Sequence, residues 1–111
     1  GSEMCIRDRL SYGNEAVMLE KLITETEKEM RLMQDEATKK DMKGLDAITH
    51  HLRSSWEVLR ADQPLRVLYG LLHGKDKPDT EALSNAVTAV LDKGAEIIRL
   101  AEEERRKYEN G

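Results

Sequence analysis

Phenylalanine is absent from the 111 residues, and the chain has only one Trp, one Cys and two Pro. With three Tyr besides, it has little aromatic bulk for a wide core. A lone cysteine excludes a disulfide framework and any multi-cysteine zinc module. No apolar run approaches the roughly 20 residues that span a bilayer, and no signal-peptide pattern is visible. What the chain has in abundance is charge. Asp, Glu, Lys and Arg make up 36%, with 18 basic against 22 acidic side chains and a formal net charge of −4. Hydrophobic residues at 39% are still too many for a disordered tail. The length fits one domain. These figures describe a soluble, mildly acidic, cytoplasmic helical protein.

The first nine residues read as foreign to it. Gly1-Ser2-Glu3 looks like a protease-cleavage scar. Met4-Cys5-Ile6-Arg7-Asp8-Arg9 looks like a translated transposase sequencing adapter, of the kind carried by reading frames from environmental DNA. Such segments are set aside in fold reasoning. Without them the charge stays −4, because Arg7 and Arg9 balance Glu3 and Asp8, and no cysteine remains. Residues 10–111 are then a single helical domain.

From Asn14 to Lys40 good helix formers dominate, with no Pro or Gly. Leu19, Ile23, Thr26, Met30, Met33 and Ala37 recur at spacings of 4 and 3, a narrow a/d stripe. Asn14 is a candidate N-cap. Around Lys39–Gly44 a break is favoured over one helix running from 14 to 61, with Asp41 as a possible cap. A second helix is predicted over 42–61, burying Leu45, Ile48, Leu52, Trp56 and Leu59. Asp62-Gln63-Pro64 marks a boundary, with Asp62 as cap and proline in the first turn. A short third helix follows over 63–73, with Leu65, Leu68, Tyr69 and Leu72 inward. Asp79 or Asp76 caps a fourth helix over 80–108, where Leu83, Val87, Val90, Gly94, Ile97 and Ala101 form a second seam. Strand and repeat signals are missing. The fold expected is all-α, a bundle of two long and two shorter helices. Seams this narrow favour completion by a second copy, most simply as an antiparallel helical dimer.

The charge is uneven. Residues 10–49 carry six basic against nine acidic side chains and residues 78–111 five against eight, each net −3. Residues 50–77 carry five against three, net +2, and hold His50, His51, His73, Trp56 and Tyr69. His50, Arg53, Glu57 and Arg60 fall on one helical face. As a solvated face this is an Arg53–Glu57–Arg60 ion-pair ladder. As a site it is an anion pocket, because arginine forks match phosphate or carboxylate and an aromatic ring offers a stacking surface. The candidate ligand-binding residues are His50, Arg53, Trp56, Arg60, Arg66 and Tyr69.

Other chemistries are not supported. An acidic chain with a local +2 lacks the basic stripe of an extended nucleic-acid footprint, and the short apolar third helix makes a poor recognition helix. Asp46 and His50 are half a metal site with nothing to complete it, and His51 reads as an interior histidine. No nucleophile–base–orienter set can be assembled, and Gly70 and Gly74 do not form a phosphate loop. The methionines read as gap-filling core. Neither a cofactor nor a membrane partner is expected. In general form, though in no specific motif, a small helical oligomer of environmental origin resembles phage accessory proteins. Some of these sequester signalling nucleotides or block defence complexes. The narrow seams and the basic, aromatic helix-two/helix-three region lead to the expectation of a non-enzymatic homo-oligomer that binds an anionic, nucleotide-like ligand, with a protein–protein adaptor or inhibitor as the alternative.

Overall fold

The computed structural model describes residues 15–110, so the scar and adapter assignments and the Asn14 cap lie outside the described residues. Four helices follow one another: α1 (Glu15–Thr38), α2 (Met42–Val58), α3 (Gln63–Leu72) and α4 (Thr80–Asn110). The described residues contain no strand. The break expected after Lys39 is present, and so is the Asp41 cap, whose carboxylate accepts from the Gly44 N–H at 3.1 Å.

Two of the helix ends are built alike. At the end of α1, the Asp41 N–H donates to the Glu36 carbonyl at 2.8 Å and the Lys40 N–H to Ala37 at 3.1 Å. At the end of α2, the Ala61 N–H donates to Trp56 at 2.8 Å and the Arg60 N–H to Glu57 at 3.0 Å. Both are Schellman motifs, which need a left-handed residue after the cap. Lys40 (φ 58°) and Arg60 (φ 59°) fill that position although neither is glycine. The second motif carries its usual apolar contact partners: Ala61 and Trp56 are both buried. Helix α2 thus stops at Val58, and the expected run to Ala61 is cut short by the turn.

Helix α3 begins with Pro64 in its first turn, but the Asp62 side chain makes no cap bond. Its carboxylate turns instead to the Arg66 guanidinium at 2.9 Å. At the start of α4, Asp79 does cap, accepting from the Ala82 N–H at 3.4 Å.

Each helix packs on the next in sequence, and α1 also packs on α4. The pairings fix the directions. Ala37 shares a groove with Leu83 and Val87, while Met30 lies against Gly94. Moving toward the N-terminus of α1 therefore moves toward the C-terminus of α4, and the pair is antiparallel. His51 reaches Glu29, and Val58 shares a groove with Leu22, so α1 and α2 are antiparallel. His73 meets Asp46, and Tyr69 and Arg66 face His50 and Arg53, so α2 and α3 are antiparallel too. The result is an up-down-up-down bundle. Its 51 Å long axis is about the length of the 31-residue α4 at roughly 1.5 Å per residue.

Both sequence seams are buried except at the end where Ala37 and Leu83 are half-buried, and they bury each other. Leu19, Ile23, Thr26, Met30 and Met33 of α1 meet the stripe of Val87, Val90, Ile97 and Ala101 on α4. Leu45, Ile48, Leu52, Trp56, Leu65 and Leu68 complete the core. Gly94 on α4 has Met30 where a side chain would stand. The two seams are thus covered within one chain.

Two residues expected to point inward are exposed. Tyr69 is 41% exposed, because Leu65 and Leu68 take the inner stripe of α3. His51 is no interior histidine: its side chain is 68% exposed, with Nε2 3.7 Å from the half-buried Glu29 carboxylate. Thr49 is the buried polar neighbour, and its hydroxyl donates to the Leu45 carbonyl at 2.7 Å.

Candidate functional site

Between α2 and α3 lies a cleft of about 140 Å³, lined by Thr49, His50 and Arg53 from α2 and by Asp62, Leu65, Arg66 and Tyr69 from the α3 side. The antiparallel α2–α3 hairpin brings the basic residues of the central segment onto facing walls. Four of the six residues expected from the sequence therefore meet here: His50, Arg53, Arg66 and Tyr69.

The other two do not. Trp56 is fully buried in the core, and its indole Nε1 finds no hydrogen-bond acceptor among the described residues. It cannot offer a face to a ligand. On the helical wheel it belongs to the apolar stripe with Leu45, Ile48 and Leu52, and that stripe decides its direction. Arg60 falls beyond the last turn of α2 in the left-handed position, so it leaves the face shared by His50, Arg53 and Glu57 and does not line the cleft. The three-member ladder shrinks to one pair, Arg53 Nε to Glu57 Oε1 at 3.0 Å.

Both cleft arginines are held by a carboxylate one turn away on the same helix or at its cap. Arg53 is held by Glu57 and Arg66 by Asp62, each through Nε. These pairs are exposed and worth only a few tenths of a kcal/mol each. Their effect is on orientation: a guanidinium has five N–H donors in a fixed fork, and one held at Nε keeps donors for a second acceptor.

The aromatic wall is already engaged. Tyr69 stacks on His73 with ring centroids 4.1 Å apart and an interplanar angle of 24°, and Arg53 Cζ sits 5.8 Å from the Tyr69 centroid. His73 is in turn tied by Nε2 to Asp46 Oδ1 at 2.7 Å. Asp46 therefore braces the wall from α2 and is not paired with His50 as half a metal site. A base stacking on Tyr69 would have to displace Arg53 or His73. Sequence reasoning did not single out Thr49, Asp62, Leu65 or His73 for this site. The i,i+4 spacings of Asp62–Arg66 and Tyr69–His73 were the available signal.

No group of three or more His, Cys, Asp or Glu side chains suited to holding a metal ion occurs among the described residues. No helix among them is long and apolar enough to cross a membrane. In comparisons with protein families, curated proteins and solved structures, nothing matches this chain.

Proposed function

We propose that this is a non-enzymatic helical binding protein whose α2–α3 cleft takes the phosphate or carboxylate end of a small anionic ligand. The observation that carries the reading is the pair of guanidiniums on facing helices, Arg53 and Arg66, each oriented by its own carboxylate beside the same cleft. A cleft of about 140 Å³ is well below the roughly 300–1,000 Å³ of sites that enclose a drug-sized molecule. It suits a compact anionic group, with the rest of a nucleotide-like ligand left outside. Membership among phage or bacterial accessory proteins remains part of this proposal on general form alone.

Thermal-shift titration with inorganic phosphate, AMP and a cyclic dinucleotide tests it. A ligand at a hundredfold excess over its Kd adds about 2.7 kcal/mol, which in a domain of this size raises Tm by on the order of 10 °C. The shift should vanish in the Arg53→Ala/Arg66→Ala variant and survive in Arg60→Ala. If no compound moves Tm, the adaptor reading takes its place. That reading rests on Val58 and Val67, 56% and 51% exposed. Self-association belongs to the same proposal, with Val17, 65% exposed, as a further apolar contact point. The molar mass by light scattering decides that point.

A further inference from the structure

A second, larger groove lies away from the arginine cleft, where the α1–α2 turn, the α3–α4 loop and the first turns of α4 come together. Its volume is about 340 Å³, within the range of small-molecule sites. Helix α4 supplies two parallel rails to it. Leu83, half-buried, and Val87, buried at the floor, stand one turn apart and make an apolar rail. Thr80, Ser84 and Thr88, spaced by four, make a rail of hydroxyls. Met42, Ala37 and Pro78 add apolar surface from the other elements.

The charged residues lining this groove are both cationic, Lys40 and Lys77, in a chain whose net charge is −4. Neither ammonium has an ion-pair partner among the described residues, whereas both arginines of the α2–α3 cleft are paired. Of the three acidic neighbours in sequence, Asp76 adjoins Lys77 with no ion pair between them, and the other two are committed elsewhere. Asp41 caps α2 through the Gly44 N–H, and Asp79 caps α4 through the Ala82 N–H. The backbone of Lys40 is held by the Schellman turn at φ 58°.

We propose that this groove binds a small amphiphilic anion, with an unbranched or aryl apolar body along Leu83 and Val87 and one anionic headgroup between Lys40 and Lys77. Apolar rails alone would accept many partners. The two unpaired ammoniums select the charge sign, and the hydroxyl rail offers hydrogen bonds near the headgroup.

Calorimetric titration with octanoate tests the assignment, with octylammonium as the same tail carrying the opposite charge. Lys40→Gly/Lys77→Gln removes both charges. Glycine is favoured at a left-handed position, so the variant should keep its fold. The expected result is saturable octanoate binding, weakened at least about tenfold in that variant and also weakened by Ser84→Trp, which fills the groove from an exposed position. In the Arg53→Ala/Arg66→Ala background, where the cleft of the proposed function no longer takes a carboxylate, octanoate should still bind and the lysine substitutions should still weaken it, which separates this groove from that cleft. The assignment is overturned if octanoate does not bind, or if octylammonium binds as tightly. It is equally overturned if the lysine variant binds normally, if the arginine variant loses binding, or if only anionic phosphatidylglycerol vesicles are bound.

Discussion

Met30 of α1 lies over Gly94 of α4, with its Sδ and Cγ in the space that a Cβ would occupy. The contact sets the spacing of the two long helices at mid-bundle and explains why a residue poorly suited to a helix interior stands on a core seam. Gly94→Ala would gain about 1 kcal/mol of helix propensity but overpack Met30 at roughly 1–3 kcal/mol. The variant should be no more stable than the wild type, and less stable by up to about 2 kcal/mol. With Met30→Ala as background the obstruction is gone, and Gly94→Ala should instead stabilise by about 1 kcal/mol. Urea unfolding of the four members of this cycle checks the change of sign. Additive behaviour would mean that the two residues do not share the layer.

The left-handed turns at Lys40 and Arg60 place side chains where the backbone resists them, at roughly 1 kcal/mol each. Arg60 lines neither the cleft nor the groove, so it is the cleaner test. Arg60→Gly relieves the strain at some cost in unfolded-state entropy and should stabilise the bundle by about 0.5–1 kcal/mol. Arg60→Val should destabilise it, since a β-branched residue tolerates positive φ least. Denaturant midpoints for the two variants should lie on opposite sides of the wild type.

Those same turns mark where the sequence stopped being readable. The seams on α1 and α4 and the Asp41 and Asp79 caps were visible, because periodicity and capping chemistry are local. The end of α2 was not, because glycine is the usual sign of a Schellman turn and Arg60 hides it. Trp56 carries two competing signals: its helical position puts it on the buried stripe while its ring suits a ligand surface, and in the fold the stripe prevails. Four cleft residues were found because charge clustered in a segment that folds back on itself. The Arg53–Glu57 and Arg66–Asp62 pairs are local i,i+4 contacts that spacing does set, whereas the His73–Asp46 brace depends on the closeness of two helices, which spacing alone does not set.

The fold distorts the titration of Glu36. Its pKa is raised above the ordinary value, first by burial and then by repulsion from Asp41, Asp35 and Glu29, with Lys39 opposing. Its Oε2 is buried without a hydrogen-bond partner, against Gly44. A carboxyl with a raised folded-state pKa favours the fold when protonated. Below its unfolded pKa of roughly 4.3 it exacts no penalty, and as pH rises through the folded value its ionisation destabilises the bundle. Glu36→Gln should therefore raise Tm at pH 7 and lose that advantage as the pH falls toward 4. A Tm difference that does not change across this range would show that the charge on Glu36 is solvated.

Trp56 is the only tryptophan and has no exposed surface, which makes it a reporter of the core and a check on where the site ends. Its emission should be blue-shifted and resistant to iodide quenching, and should turn red only as the bundle unfolds. Truncation to Ala would open a large cavity and cost about 3–5 kcal/mol. Trp56→Phe keeps most of the apolar contact and removes an indole N–H that has no acceptor among the described residues. The loss avoided by removing an unsatisfied donor offsets part of the cavity cost, so this variant should lose less than about 2 kcal/mol. Ligand-dependent Tm shifts should be unchanged in Trp56→Phe, because the ring sits in the core and does not line the α2–α3 cleft. A Trp56→Phe protein that folds normally but no longer responds to phosphate would return the ring to the site and displace the cleft from between Arg53 and Arg66.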